Sequence, residues 1–316
     1  MTLSLDNAVS FIGIDWGTTH RRACLLDGDG QVVHEEHDDD GALACTGRFA
    51  ESLRTLLQRL GRLPSDVPIV MAGMVGSAMG WQEVPYAEAR TPLRDLARQL
   101  APVRDAPAGA RWWIVPGMRW VEAASGQVDV MRGEETQLLG ASQMLGAAGE
   151  TGGYVLPGTH SKWVRLEAGV VQSLRTFMSG ELFALLRERG TLSAAMKSTP
   201  AESALDRPAF ARGVADATHG ALSHTLFGAR ARVVTGQMPA EAASAYVSGL
   251  LIGSEWHEHA RSKHRGDMVR LIGEPALAQL HVHCAELLGC RAEVLDVRAV
   301  QHAAWRTLQR SLETTP

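Results

Sequence analysis

The 316-residue chain is 45% hydrophobic and 21% charged, with a formal net charge of −4. These values describe an ordinary globular sequence, long enough for two domains of roughly 150 residues each. They supply no basic face for nucleic acid, and no apolar run reaches the length of a membrane span.

The opening residues, MTLSLDNAVSFIGID, have neither the basic start nor the long apolar stretch of a signal peptide. A cytoplasmic protein is therefore expected. Cys24, Cys45, Cys284 and Cys290 form no Cys-x-x-Cys pair and no metal spacing with histidine. All four read as reduced thiols.

Residues 11–15 and 23–27 read as two short strands, with the turn signal DGDG at 27–30 and a third strand in QVVHEE. The acidic run HEEHDDDG at 34–41 reads as a solvated loop. TGRFAESLRTLLQRL sets Phe49, Leu53, Leu56, Leu57 and Leu60 at helical spacing. VPIVMAGMVG at 67–76 is a buried strand running into glycines. TPLRDLARQL predicts a helix capped by Thr91, with Pro92 at its first position. RWWIVPG at 111–117 is another strand. GEETQLLGASQMLG is a helix with Leu138, Ala141, Ser142 and Leu145 on one stripe.

The second half opens on YVLPGTHSKWVRLEAGVVQSLRTFM, a strand–turn–strand unit, and SGELFALLRERG, a short helix. Longer helices are expected over about 206–226 and 239–261. MVRLIGEPALAQLHVHCAELLG reads as strand, glycine turn and helix; RAEVLDV is a last strand and AVQHAAWRTLQRSL a last helix. A hairpin with a polar glycine turn thus occurs twice, each time followed by α/β units. Two related α/β domains are predicted, 1–149 and 150–316, with the small-residue stretch AAGETGG at their junction, a cleft between them, and the last helix free to pack back on the first domain.

Several segments carry candidate chemistry. In DWGTTHRR, Asp15 ends a strand, Gly17 permits close approach of a ligand, and Thr18 and Thr19 add hydroxyl donors. This is a cradle for phosphoryl oxygens with a carboxylate able to hold Mg²⁺ through water, or else an Asp-capped hairpin turn. PGTHSKW at 157–163 is a second such turn, with Gly158, Thr159, His160 and Ser161 as donors and Lys162 as a cation. Two polar turns heading two domains favour the phosphate reading over ornament. In LIGEPALAQ, Gly273 stands between a strand and the positive end of a helix.

MRGEETQLLG carries Glu134 and Glu135 in a first helical turn. A carboxylate kept ionised there can take a proton from a hydroxyl, or can simply complement the helix dipole. MAGMVGSAMGW could line a small polar substrate pocket with Gly73, Met74, Ser77 and Trp81, or serve tight packing. His257/His259 and His281/His283 are two apart on predicted helices, which points each pair to different faces and against a two-histidine metal site. No Walker A motif and no Ser/His/Asp elbow is present.

In this order the motifs resemble the actin-like, ribonuclease H-fold superfamily of sugar kinases, hexokinases and chaperones. DWGTT looks like its first phosphate loop, PGTHSKW its second, LIGEPAL its adenosine loop, and YVSGLLIGSEW the helix before the adenosine strand. FIGIDWGTTHRRACLL, VMAGMVGSAMGW, VPYAEARTPL, WWIVPGM, DVMRGEETQLLGA, YVLPGTHSKWV, FMSGEL and SGLLIGSE together resemble the 2-dehydro-3-deoxygalactonokinase family. The resemblance implies two ribonuclease H-like domains, each a mixed five-stranded sheet flanked by helices, with the active site in the cleft. It implies ATP and Mg²⁺, and phosphorylation of the 6-hydroxyl of 2-dehydro-3-deoxy-D-galactonate in galactonate breakdown.

By comparison with larger carbohydrate kinases, Gly133-Glu134 stands where those enzymes carry Gly-Asp, and that aspartate is their base. The longer glutamate leaves Glu135 as an alternative. The resemblance gives Asp15 the metal, and gives Gly17, Thr18, Thr19, Gly158, Thr159, His160, Lys162 and Gly273 to the nucleotide. Gly73, Met74, Ser77, Trp81 and Glu135 fall near the sugar acid. Arg22, Arg132 and Arg175 are candidates for its carboxylate, Arg22 being preferred, because an arginine fork binds carboxylates bidentately. Partners are the sugar acid and ATP, with no nucleic acid or membrane; a homodimer is compatible with the sequence. The competing readings are a kinase of the same fold for another small sugar acid, and a non-catalytic ATP-binding sensor.

Overall fold

A computed structural model describes residues 9–196 and 205–314. The chain opens as an antiparallel meander of β1 (Phe11–Trp16), β2 (Arg21–Leu26) and β3 (Val32–Asp38). The amphipathic α1 (Phe49–Arg59) buries Phe49, Leu53 and Leu56. β4 (Ile69–Gly73) is buried at every residue and pairs parallel with β1. Such a fully apolar run suits a strand covered on both faces. It ends in a 3₁₀ turn, Met74–Gly76.

Next come β5 (Ala87–Glu88), β6 (Ala101–Pro102), β7 (Trp112–Ile114), β8 (Met118–Val121), β9 (Val128–Met131) and α2 (Glu134–Leu145). The second meander is β10 (Gly152–Leu156), β11 (Ser161–Glu167) and β12 (Val170–Phe177). It leads into α3 (Ser179–Glu188), α4 (Ser193–Met196), α5 (Arg207–Asp216), α6 (Leu222–Val234) and α7 (Ala243–Ala260). β13 (Met268–Leu271), α8 (Pro275–Leu287), β14 (Arg291–Val294) and α9 (Val297–Thr314) complete the chain.

The two main sheets have one topology. Their orders are β3-β2-β1-β4-β7-β6 and β12-β11-β10-β13-β14. In each, a meander contributes the first three strands and parallel strands extend its first member: β4 and β7 beyond β1, β13 and β14 beyond β10. This is the repeated ribonuclease H-like pattern. The chain divides into two compact units, one of Met1–Thr151, Arg165–Leu174 and Asp296–Pro316, the other of Gly152–Val164 and Arg175–Leu295.

In the first unit α9 lies against α2 and the opening hairpin. Gly140 brings α2 so near α9 that a Cβ there would stand 2.0 Å from the Val300 carbonyl oxygen. Trp305, fully buried, sits over β1 at Gly13 and beside Phe11, ring centroids 6.5 Å apart. Gln309 donates to Ser10 Oγ and to the Asp27 carbonyl, both at 2.7 Å. The second unit centres on α7, whose Tyr246, Val247, Leu250 and Trp256 are buried with Phe210 of α5.

Four expectations are corrected. TPLRDLARQL is not an α-helix: Leu93–Gln99 is 3₁₀ and Pro92 precedes it in extended conformation. Its two buried residues, Leu93 and Leu96, are three apart, the eclipsed spacing of a 3₁₀ turn. The helix expected over about 206–226 stops at Asp216, restarts at Leu222 and runs on to Val234. Gly220, at φ +132°, breaks it. The first main sheet has six strands, not five, because the two-residue β6 adds an edge, and a separate sheet β5-β8-β9 stands apart. Those strands are of two to four residues, too short to show a period.

The acidic run is not a solvated loop. Asp38 accepts from Arg21 Nε and Nη2 at 3.2 and 2.7 Å, and Arg21 Nη1 donates to Ser52 Oγ at 2.8 Å. Ser52 in turn donates to Asp40 at 2.6 Å, and the Asp40 carbonyl accepts from Trp16 Nε1 at 2.7 Å. The fully buried Arg21 guanidinium is thereby neutralised, and the run is fixed beneath the first polar turn.

Candidate active site

Asp15 is the penultimate residue of β1, half-buried, with Arg22 as its cross-strand partner. Burial raises its pKa, opposed by a hydrogen bond from Gln301 of α9 and by the charge of Arg22. The turn after it is closed by Gly17 N–H donating to the His20 carbonyl at 2.9 Å. Ala42 and Leu43 N–H donate to the Gly17 and Thr18 carbonyls at 2.9 and 3.1 Å, so this turn is held by its backbone while Thr18 and Thr19 stay exposed.

Two glycines keep space beside Asp15. Gly73, at φ +89°, has a backbone conformation that L side chains rarely adopt, and a Cβ on it would lie 2.8 Å from the Trp16 carbonyl oxygen and 3.4 Å from Asp15 Oδ1. Gly133, at φ +105°, would place a Cβ 3.3 Å from Gly73 Cα. Asp15, β4's end and the start of α2 therefore meet.

The two glutamates of α2 differ sharply. Glu135 is fully buried and folds back, accepting from Gly133 N–H at 2.9 and 2.7 Å and from Thr136 Oγ1 at 3.3 Å. Burial, aided by the neighbouring Glu134 charge, pushes its pKa up to about 8. Glu134 is half-buried, and its Oε2 accepts from Arg132 N–H at 2.8 Å. Of the pair it is Glu134 that an incoming hydroxyl can reach.

A carboxyl whose folded pKa lies above its unfolded value of 4.5 favours the fold fully below that value and loses its contribution as pH climbs through the folded value. The melting temperature should therefore fall between about pH 5 and 8 more steeply in the wild type than in Glu135→Gln. Equal slopes in a scanning-calorimetry series would refute this.

Arg132 is engaged. Its Nη2 donates to the Val84 carbonyl at 2.8 Å and its guanidinium lies 4.3 Å from the Tyr86 ring centroid, while Nε and Nη1 are buried without a hydrogen-bond partner among the described residues. Arg175 is ion-paired with Glu258. Arg22 is exposed and stands beside Asp15. In the glycine segment, Ser77 Oγ donates to the Met74 carbonyl at 2.8 Å, Trp81 packs edge-on to Trp112, and Met74 is half-buried.

In the second unit, the turn from Pro157 to His160 is met by two other elements. Gly273 reaches Pro157, where a Cβ would be 3.0 Å from the proline Cδ. Gly180, in the first turn of α3, lies so close that a Cβ would be 2.3 Å from the Gly158 carbonyl oxygen, and Glu181 N–H donates to the Thr159 carbonyl at 2.9 Å. His160 is exposed on a 2.6 Å contact with Glu181. Lys162 is only 7% exposed and donates to Thr176 Oγ1 at 3.0 Å.

A cavity of about 560 Å³ opens at this turn, lined by Gly158 and Thr159 at one side and by Phe183, Leu251, Leu277 and Leu280 elsewhere. An apolar slot beside a polar glycine turn has the chemistry of a nucleotide site, base in the slot and phosphates at the turn. His257 and His259 go to the Val214 carbonyl and the Trp163 ring; His281 and His283 go to Trp256 and Phe210. All four cysteines are free and buried.

Two residues at these places escaped the sequence reading. Gln301 bonds Asp15 from the far end of the chain, and nothing local in its amphipathic helix marks it. Glu255 did leave a signal, a lone carboxylate in an otherwise apolar stretch of α7.

Paired sheets of one topology, each with a polar glycine turn after its first strand, define an actin-like, ribonuclease H-like ATPase fold of the sugar kinase type. Within that class the chain belongs to the 2-keto-3-deoxy-galactonokinase family, whose profile matches residues 15–308. It is 32% identical over 302 residues to the 2-dehydro-3-deoxygalactonokinase of Escherichia coli (strain K12), across 93% of this chain and 98% of that protein. A probable 2-dehydro-3-deoxygalactonokinase of Rhizobium meliloti (strain 1021) is 33% identical over 315 residues, across 96% and 99%. A crystal structure from Sinorhizobium meliloti, provisionally described under the same activity, superposes with a TM-score of 0.86 at 31% identity, covering 96% of this chain and 100% of that one. The chain is a carbohydrate kinase, and ATP use goes with the family. No helix among the described residues is long and apolar enough to cross a membrane.

Proposed function

We infer that this chain transfers the γ-phosphoryl group of ATP to the 6-hydroxyl of 2-dehydro-3-deoxy-D-galactonate, giving the 6-phosphate in galactonate catabolism. Within the family membership, the half-buried Glu134, next in sequence to the Gly133 that meets Gly73 at Asp15, is the observation that carries a catalytic reading. A nucleotide sensor would have no use for that carboxylate.

The hydroxyl oxygen attacks the γ-phosphorus as the bond to the bridging oxygen of ADP breaks, and Glu134 accepts the hydroxyl proton. Gly17, Thr18 and Thr19 in the first unit, and Gly158, Thr159, His160 and Lys162 in the second, serve phosphoryl oxygens; Gly273 borders the adenosine. Gly73, Met74, Ser77 and Trp81 shape the sugar-acid side, where Arg22 receives the carboxylate, since Arg132 braces the Val84–Tyr86 segment. Positioning and charge stabilisation do most of the catalytic work. A half-buried carboxylate with clear space beside it suits a hard cation, and Asp15 would hold Mg²⁺ through water. Bound there, Mg²⁺ would supply positive charge to the phosphate chain. The first domain then carries the sugar acid and the second the nucleoside, and the free buried thiols fit a cytoplasmic setting.

ADP release measured over a panel of sugar acids is the test. Turnover should be highest on 2-dehydro-3-deoxy-D-galactonate. Robust turnover on another acid, with none on this one, would replace the substrate assignment; ATP binding without turnover on any would favour a sensor.

A further inference from the structure

Glu255 of α7 is 1% exposed and lies in the wall of the 560 Å³ cavity. One of its oxygens, Oε2, accepts from Ser161 Oγ and from Trp163 Nε1, both at 2.7 Å. Ser161 is the first residue of β11, directly after the second polar turn, and the hydroxyl of Ser179, first residue of α3, also hydrogen-bonds this carboxyl. A single buried carboxyl thus gathers the exit of the turn and the start of α3. Those are the segments that Gly180 and Glu181 bring against Gly158 and Thr159. Trp163 is further fixed by Trp256, ring centroids 4.9 Å apart and edge-on.

Burying a carboxyl costs free energy that a purely structural helix would avoid with an apolar residue. Trp163 also packs on α7 through Trp256 and His259, whereas the hydroxyls of Ser161 and Ser179 meet the helix through this carboxyl. What they share is the turn on one side of the cavity.

We propose that Glu255 is a positioning residue for the nucleotide: by tying Ser161, Trp163 and Ser179 to α7 it sets the spacing of the second polar turn from the first residues of α3, and so the affinity for ATP and ADP. This rests on the kinase reading above. Burial raises the Glu255 pKa, opposed by bonds from Ser179, Trp163 and Ser161. A neutral isostere able to accept the same two bonds should therefore substitute for it.

The experiment uses the full chain, with calorimetric titration of ADP and steady-state kinetics in both substrates. Glu255→Ala should weaken ADP binding and raise KM for ATP at least tenfold, while kcat at saturating ATP and KM for the sugar acid stay within about threefold. Glu255→Gln should restore ADP affinity to within threefold of wild type. Where Glu255→Ala does not fold, Ser161→Ala and Ser179→Ala should each weaken ADP binding severalfold without moving the sugar-acid KM. Unchanged ADP affinity in the alanine variants, or equal losses in both KM values and kcat, would overturn the proposal. A wild type that binds no ADP would instead overturn the kinase reading.

Discussion

Glu134→Gln should lower kcat by about 10²–10⁴-fold, the usual contribution of a positioned general base, while ADP affinity measured by titration stays within about twofold. Glutamine keeps the size of the side chain and can still accept the Arg132 N–H bond that orients it. What it removes is the capacity to take a proton. Glu135→Gln should behave differently and retain most of kcat. Glu135 already spends both oxygens on Gly133 N–H and is sealed from solvent. With its pKa pushed to about 8 it is largely protonated at neutral pH and is a poor base. Its conservative amide keeps one acceptor oxygen for the Gly133 N–H. If Glu135→Gln proves inactive and Glu134→Gln active, with both folded by circular dichroism, the roles are reversed. If neither loses activity, the base lies elsewhere.

Gly13→Ala should be strongly destabilising to the first unit. A Cβ at this position would fall 2.2 to 2.7 Å from three ring atoms of Trp305. The indole has nowhere to go, because it is fully buried and flanked by Phe11. Overpacking of this kind costs about 1–3 kcal/mol, more where nothing relaxes, and denaturant unfolding should show it. The damage should also reach catalysis, since Gln301 lies one turn before Trp305 on α9 and bonds Asp15. The check is a double-mutant cycle. Trp305→Ala alone should cost about 3–5 kcal/mol, but in its background Gly13→Ala should be nearly silent. Additive losses would show that the two residues do not meet.

The hairpins, the parallel strands and most helices were legible because each rests on a local signal. Residues 11–14 are apolar and lead through Asp15 and Trp16 to Gly17; Pro275 follows Glu274, which caps α8 through Leu277 N–H at 3.1 Å. The turns at Asp15 and Gly158 were legible as motifs. The failures have a common cause. Leu93 and Leu96 read equally well as α or 3₁₀ until the extended Pro92 decides. Asp38 and Asp40 looked solvated because Arg21 and Ser52, which bind them, are 17 and 12 residues away in sequence. Gln301 and Glu255 act through partners still further off, and no window of sequence contains both ends of such a contact.

The helix α9 has a consequence for how the protein is made. Ser10, Gly13, Asp15 and Gly30 are synthesised well before Gln309, Trp305, Gln301 and Arg306, which complete their contacts. At elongation speeds of about 5–20 residues per second the opening hairpin waits on the order of tens of seconds for its cover. Until then the apolar surface at Gly13 is bare and Asp15 lacks its amide partner. A chain cut before residue 296 would keep both polar turns and still leave Asp15 without Gln301, so such products should be both inactive and prone to self-association.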